Sequence, residues 1–353
     1  MKRKFLQIMR LAALSVIGLI FFSCATTVDV RLTRPAQLDL NGARTIAVLP
    51  FKPCAYYREY DTSLGTEILI NSFYQIFNID DPDESELLEL LQSRIQRGLL
   101  DSPYINVVSS NEVIRAQKNG QLNPADVYLT GEMASFKVRN SSYEEKKVLK
   151  EAEGNRKEEY EIITYWQRTV EFTFRYQVVD SSDNQIISYR EIHDKSTSDS
   201  YQRKSELPSP YDIAKSDFVS ASKTILKQLQ PYAVIKTIEL LEYKTKDKGL
   251  KERFKAANKL ASDGALKDSV SAFTELYKET DIAEAGYNAA ILTEALGNLS
   301  EAERMMLEVY DRYPDSRVAG GLSDIRYEIQ QANRLQKQIN DSKANEEDQT
   351  VDF

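Results

Sequence analysis

Between Thr169 and Val179 every second residue is apolar: Val170, Phe172, Phe174, Tyr176 and Val178 alternate with Glu171, Thr173, Arg175 and Gln177. Side chains on a strand point alternately to opposite faces, so this stretch predicts a half-buried strand with one dry and one wet face. A dry face needs a covering layer, and the flanking sequence offers one. Leu87, Leu88, Leu91, Ile95 and Leu99 recur at three- and four-residue spacing over Glu84 to Leu100, behind Pro82 and Asp83, which suit a first helical turn. A second such stripe, Ala214, Phe218, Ala221 and Ile225, predicts a helix over Tyr211 to Leu229. Strands are expected at Thr45–Phe51, Tyr104–Val108 and Asp126–Met133, with a short helix at Ser110–Lys118. Asp180 to Asp183 reads as the turn of a hairpin into Gln185–Ile192, and Ala233–Leu241 as a strand closing the sheet. The charged stretch between Phe136 and Tyr160 reads as a solvated hairpin tip, and the polar His193–Pro210 as a second hairpin.

From Lys251 the pattern becomes helical and repeats itself. Ala257, Gly264, Ser269, Phe273 and Leu276 are matched, 33 residues later, by Ala290, Gly297, Ala302, Met306 and Val309, with Asp281 falling at the place of Pro314. This register resembles tetratricopeptide repeats. The resemblance implies that Ala257 and Ala290 let paired helices touch, that each glycine ends the first helix, and that Ser269 and Ala302 seat the second. Gly286 stands where the consensus has a large aromatic residue. A helix over Val318 to about Gln338, carrying Leu322, Ile325, Ile329 and Leu335, is expected to cap the stack. The expected fold class is α+β: a mixed α/β sheet domain at 44–245, then an all-α repeat domain at 250–339, between a tether at 24–43 and a disordered acidic tail at 340–353.

The first 24 residues direct localisation. Lys2, Arg3, Lys4 and Arg10 precede an uncharged apolar run from Leu11 to Phe22, too short to span a bilayer, which needs about 20 residues. Phe22-Ser23-Cys24-Ala25 follows and resembles the lipobox of bacterial lipoproteins, in which the cysteine becomes the acylated first residue. That resemblance implies a signal peptide at 1–23, fatty acids such as palmitate on Cys24, and an outer-membrane anchor, because no Asp follows the cysteine. Removing the leader with its four cations takes the net charge from −8 to −12. Cys54 is then the one remaining thiol; no intramolecular disulfide can form, and the residue is expected to be a small, partly buried apolar group.

The phrase Arg34-Pro35-Ala36-Gln37-Leu38-Asp39-Leu40, running into Thr45–Phe51, resembles the curli-secretion (CsgG-like) lipoprotein superfamily. Asp126–Glu132 and Phe174–Asp183 resemble two more of its strands, so the likeness covers about 200 residues. It implies a soluble α/β module, and in pore-forming members long hairpins that assemble into an oligomeric barrel.

Composition argues against catalysis. The chain has one histidine, His193, two cysteines and no glycine-rich phosphate loop or nucleophile elbow; no metal or other cofactor is expected. Carboxylate pairs such as Asp80 and Asp81 or Glu346 and Glu347 fall in a turn and a tail. An acidic surface repels phosphates, so nucleic acid is excluded as a partner. The expected partners are the membrane, through lipid on Cys24, and envelope proteins, through the repeats and the α/β domain, with a homo-oligomer possible. The expected function is a protein-binding scaffold or assembly factor at the periplasmic face of the outer membrane. The rival is a subunit of a secretion pore.

Overall fold

A computed structural model describes residues 26–40, 42–54, 59–60, 81–150 and 158–348. The leader, Cys24 and residues 151–157 of the charged stretch lie outside the described residues. The fold is α+β, with one large mixed sheet, a separate two-stranded ribbon and, among the described residues, eight α-helices. The chain divides into two compact units: Pro35–Tyr232 with the described residues from Leu335 onward, and the described residues up to Arg34 with Ala233–Arg334.

In the first unit, β2 (Thr45–Val48) runs parallel to both β4 (Asn106–Val108) and β5 (Val127–Lys150), while β5, β6 (Glu159–Asp180) and β7 (Ile186–Thr197) are antiparallel. The order is β4-β2-β5-β6-β7, and the two-residue β3 (Glu59–Tyr60) pairs with β5. The alternation in β6 acts as read: Val170, Phe172, Phe174, Tyr176 and Val178 are all buried. Helices α1 (Pro82–Leu100) and α3 (Pro210–Leu229) cover this face, and the Phe172 and Phe218 rings meet with centroids 4.4 Å apart. Both helices begin with the same device. Asp81 accepts hydrogen bonds from the Asp83 and Glu84 amides and Ser209 from the Asp212 amide, with proline in the first turn where its missing N–H costs nothing. Gly98 lets α1 approach α3, since a Cβ there would stand 2.4 Å from a Leu226 methyl. Helix α2 (Ser110–Asn119) covers part of the other face: Ala47, which points opposite to Ile46 and Val48, packs on its Val113.

The long hairpin is paired from Val127↔Asp180 out to Lys150↔Glu159, with a bulge between Met133 and Ser135. No second hairpin follows: His193 to Thr197 complete β7, and the rest runs through a bridge from Tyr201 to Trp166 and a 3-10 turn at Lys204–Glu206. Strand pairing with β6 captured the first residues of the expected second hairpin.

The second unit corrects three further expectations. Residues 27–34, assigned to the tether, form β1 (Thr27–Arg34), and β8 (Tyr232–Glu239) pairs with β1 instead of closing the large sheet. Inward residues Val28 and Ile238 join Leu240 in the apolar cluster of the helices, which is what drew both strands there. The helices are α4 (Lys248–Ser262), α5 (Leu266–Thr280), α6 (Ala283–Ala295), α7 (Leu299–Arg312) and α8 (Ser316–Asp348). α8 is longer than the expected cap and takes in residues 340–348 of the expected disordered tail. The reason is legible in register: Gly264 and Gly297 end α4 and α6, but 33 residues on stands Gln330, which leaves the helix unbroken.

Candidate functional site

The repeat residues fall into three structural roles. Ala257, Phe273, Leu276, Ala290, Ala302, Met306 and Val309 share one buried cluster. Ser269 is fully buried, and its hydroxyl donates to the Ala257 carbonyl at 2.8 Å, joining α5 to α4. Gly264 and Gly297 end their helices with φ of +83° and +82°, and the following turns match bond for bond. The amides of Gly264 and Ala265 reach Ala261 and Leu260 at 3.0 and 2.9 Å; those of Gly297 and Asn298 reach Glu294 and Thr293 at 2.8 and 3.2 Å. Pro314 is exposed in the turn after α7, and its counterpart Asp281 ends α5 at φ 54°.

Gly286 departs from the repeat pattern for a visible reason. A Cβ there would lie 2.5 Å from Val309 and 3.0 Å from the Tyr277 ring, so the aromatic the consensus would place in α6 is supplied by α5. These turns give a direct test. Gly264→Ala and Gly297→Ala should each cost about 1 to 2 kcal/mol, because φ near +80° penalises a Cβ that meets no steric clash elsewhere. Gly320→Ala, inside α8 with nothing within 4 Å, should gain up to about 1 kcal/mol. Urea midpoints that move alike for all three would contradict the turn assignment.

The sequence did not single out the polar cluster beneath the ribbon. Arg34 of β1 makes a bidentate pair with Glu328 of α8, its second bond at 2.7 Å. Lys236 of β8 pairs with Glu294 of α6 and, at 3.0 Å, with Glu328. The Glu294 and Glu328 side chains are only 2% and 7% exposed. Burial drives the Glu294 carboxyl above its ordinary value despite Lys236, and one of its oxygens has no hydrogen-bond partner. Burial also pushes Glu328 upward, but hydrogen bonds from Arg34 and Lys236 prevail and hold it below the ordinary range. Burial opposes the charge on Lys236, and its two carboxylates outweigh it, so its proton is held more firmly than usual. Beside this cluster, the buried Asn288 of α6 accepts from the Leu241 amide at 2.7 Å and donates to its carbonyl at 2.9 Å. The available signal was the period-two run Val28, Val30, Leu32; the acids themselves look like any others in sequence.

On the first unit, the uncovered sheet face carries cross-strand pairs, among them Arg175 with Glu191 at 3.3 Å and His193 Nδ1 with Thr173 Oγ1 at 3.1 Å. A cleft of about 250 Å³ there is lined by Lys52, Glu132, Arg175, Gln177 and Tyr189, among others. His193 is exposed on the open strand surface with the Thr173 hydroxyl as its hydrogen-bond partner, and Cys54 is buried with its thiol 3.8 Å from the Ala134 carbonyl. Among the described residues, no group of three or more His, Cys, Asp or Glu side chains could hold a metal ion. No described helix is long and apolar enough to cross a membrane.

The sequence matches no family model, and no curated protein matches it. Among solved structures, the chain is similar to protein XCC0632 from Xanthomonas campestris, at 8% identity and a TM-score of 0.31 over 56% of this chain and 87% of that one. It is similar to a neuraminyllactose-binding hemagglutinin homologue from Helicobacter pylori, at 12% identity and 0.27 over 55% and 89%. A third likeness is to lipoprotein GNA1162 from Neisseria meningitidis, at 9% identity and 0.19 over 53% and 97%. At these TM-scores the likenesses carry no structural weight.

Proposed function

We propose that this protein is a non-catalytic scaffold, lipid-anchored through Cys24 at the periplasmic face of the bacterial outer membrane, which holds envelope proteins through its helical and α/β units. The observation that carries this reading is the helical unit, where two helix pairs and a third opening helix repeat at 33 residues with matched turns. Stacked repeats of this kind present extended surfaces to other polypeptides. The composition supports it, since the one histidine of the chain, His193, is exposed.

A second reading, a subunit of an oligomeric pore, draws on one observation. Beyond Thr169↔Thr197, where β7 ends, β5 and β6 continue paired for about the 9 to 11 residues a strand needs to cross a bilayer, with Tyr201 bridged to Trp166 beside them. The faces of this extension do not suit lipid. Trp166, Ile162, Tyr160 and Val148 share one face with Glu144 and Lys146, while Tyr143, Tyr165 and Ile163 share the other with Glu145, Lys147 and Glu161. Charges midway along both faces leave no continuous apolar band.

Light scattering on residues 24–353 carrying Cys24→Ser, without detergent, separates the two. A soluble species of one or two copies supports the scaffold. A large ring, or protein that needs detergent to leave the aggregate, overturns it in favour of the pore.

A further inference from the structure

The two ends of the large sheet differ in kind. At one end β4 is three residues long; at the other β7 runs for 12 residues, and among the described residues no strand pairs with its outer edge. The Ser198 amide donates to the Arg168 carbonyl at 2.8 Å, which makes that pair a hydrogen-bonded one in the register of β6 and β7. Such pairs alternate with open ones, so the backbone groups of Tyr189, Glu191, His193 and Lys195 point away from β6. The Lys195 amide turns to the Asp194 carboxylate at 2.9 Å, as an edge amide does without a strand beside it. A long edge of this kind is a template for another strand.

The side chains of β7 specify which strand. Counting outward from Ile192, Glu191 is matched by His193, Arg190 by Asp194, Tyr189 by Lys195 and Ser188 by Ser196. When two β7 strands pair antiparallel with Ile192 on the axis, each residue meets its counterpart directly. Arg190 then faces Asp194 on the side of the sheet that α3 covers. On the wet side Glu191 faces His193, and the Lys195 ammonium faces the Tyr189 ring. The outward backbone groups of Glu191 and His193, and of Tyr189 and Lys195, fall opposite one another and exchange hydrogen bonds. Other registers fail. A slip of one residue sets an outward amide against an inward one. A centre at residue 191 puts Glu191 against itself, and a centre at 193 leaves Arg190 facing Ser196.

Helix α3 leaves room for the same arrangement. Asp217 accepts from the Ser196 hydroxyl at 2.6 Å, which fixes the side of α3 that overhangs β7. Ser220 and Thr224 follow Asp217 on that side, both exposed, with their hydroxyls turned back to the Ser216 and Ser220 carbonyls at 3.1 Å. Side chains this small let a second α3 come alongside at the distance of about 8 to 10 Å typical of packed helices.

We infer that β7 is a homodimerisation edge, at which two copies of this chain join their large sheets into one across a two-fold axis through Ile192. The same patch serves both copies, so the contact closes on itself and stops at two. The inference goes beyond the scaffold reading and does not depend on it.

Sedimentation velocity on residues 24–353 carrying Cys24→Ser, from about 1 to 100 μM, provides the test. The chain should dimerise within this range. Arg190→Asp sets like charges opposite one another at two places and should raise the dissociation constant at least about tenfold. Adding Asp194→Arg to it restores opposite charges and should return the constant to within about threefold of the unsubstituted chain. A monomer throughout the range, or an assembly of any size that Arg190→Asp leaves intact, overturns the inference; a two-copy assembly of that kind would leave the scaffold reading standing. If Arg190→Asp does not fold by circular dichroism, cysteine pairs decide. Ile192→Cys places two thiols at an open pair with Cα atoms about 4.5 Å apart, within disulfide reach, and mild oxidation should give a covalent dimer. Lys195→Cys, which faces the partner's Tyr189, should give none. Equal cross-linking by the two variants, or none from Ile192→Cys, overturns the inference.

Discussion

Glu328→Ala should destabilise the helical unit by about 3 to 5 kcal/mol at pH 7, read as a shift in the urea midpoint by far-UV circular dichroism. The substitution deprives the Arg34 guanidinium of its bidentate carboxylate and leaves Lys236 with Glu294 alone, in a site where both acids are nearly inaccessible. Removing one member of a buried ionic cluster costs more than the cluster contributes, because the survivors keep their desolvation penalty. The pH dependence gives a second signature. Glu328 is held below its ordinary value, so its contribution is present above the unfolded carboxylate pKa of about 4.3 and is lost as pH falls through the folded value. Glu294 is raised and has the opposite sign: it takes up a proton earlier on acidification, which relieves its own burial penalty. The milder Glu328→Gln should therefore flatten the acid limb of stability against pH. A loss below about 1 kcal/mol together with an unchanged acid limb would mean that the cluster is solvated and holds nothing.

Phe174→Ala should cost the α/β unit about 3 to 5 kcal/mol. Its ring is fully buried, edge-on to Phe51 at 5.0 Å and stacked with Tyr176 at 6.1 Å, and it occupies space that only a glycine at 131 leaves open: a Cβ there would come within 2.5 Å of the ring. The surrounding sheet cannot collapse into the void, because Gly131 and Phe174 belong to strands paired on both sides. Trp166, the only tryptophan, sits on the same strand and reports the transition by fluorescence. Thr173→Ala, one residue away on the wet face, should stay within about 0.5 kcal/mol. Similar losses at both positions would contradict the two-faced strand.

What could be read in the sequence is what periodicity encodes. β6, α1 and α3 carry long stripes whose partners are themselves stripes, and the repeat turns carry glycines that no other residue replaces cheaply. Pairing choices were not legible. The alternation of Val28, Val30 and Leu32 was too short and too mixed with polar residues to lift β1 out of the expected tether, and nothing local states that it pairs with β8, two hundred residues away. Polarity misled after the hairpin: His193–Thr197 are polar because one face of β7 is wet, while the charged stretch after Phe136 is paired out to Lys150↔Glu159. The cluster of Arg34, Lys236, Glu294 and Glu328 was invisible for a related reason. Charged residues are surface residues by default, and only the three-dimensional meeting of two cations and two acids makes burial tolerable.

With lipid on Cys24 as proposed, the start of β1 at Thr27 changes the leash. A free tether over residues 24–43 would behave as a coil with an end-to-end distance of about 25 Å and let the protein roam a hemisphere of that radius. Three residues give a reach of about 10 Å. The helical unit would then be held against the headgroups with little freedom to tumble, so that the partners it can meet are those already close to the membrane plane.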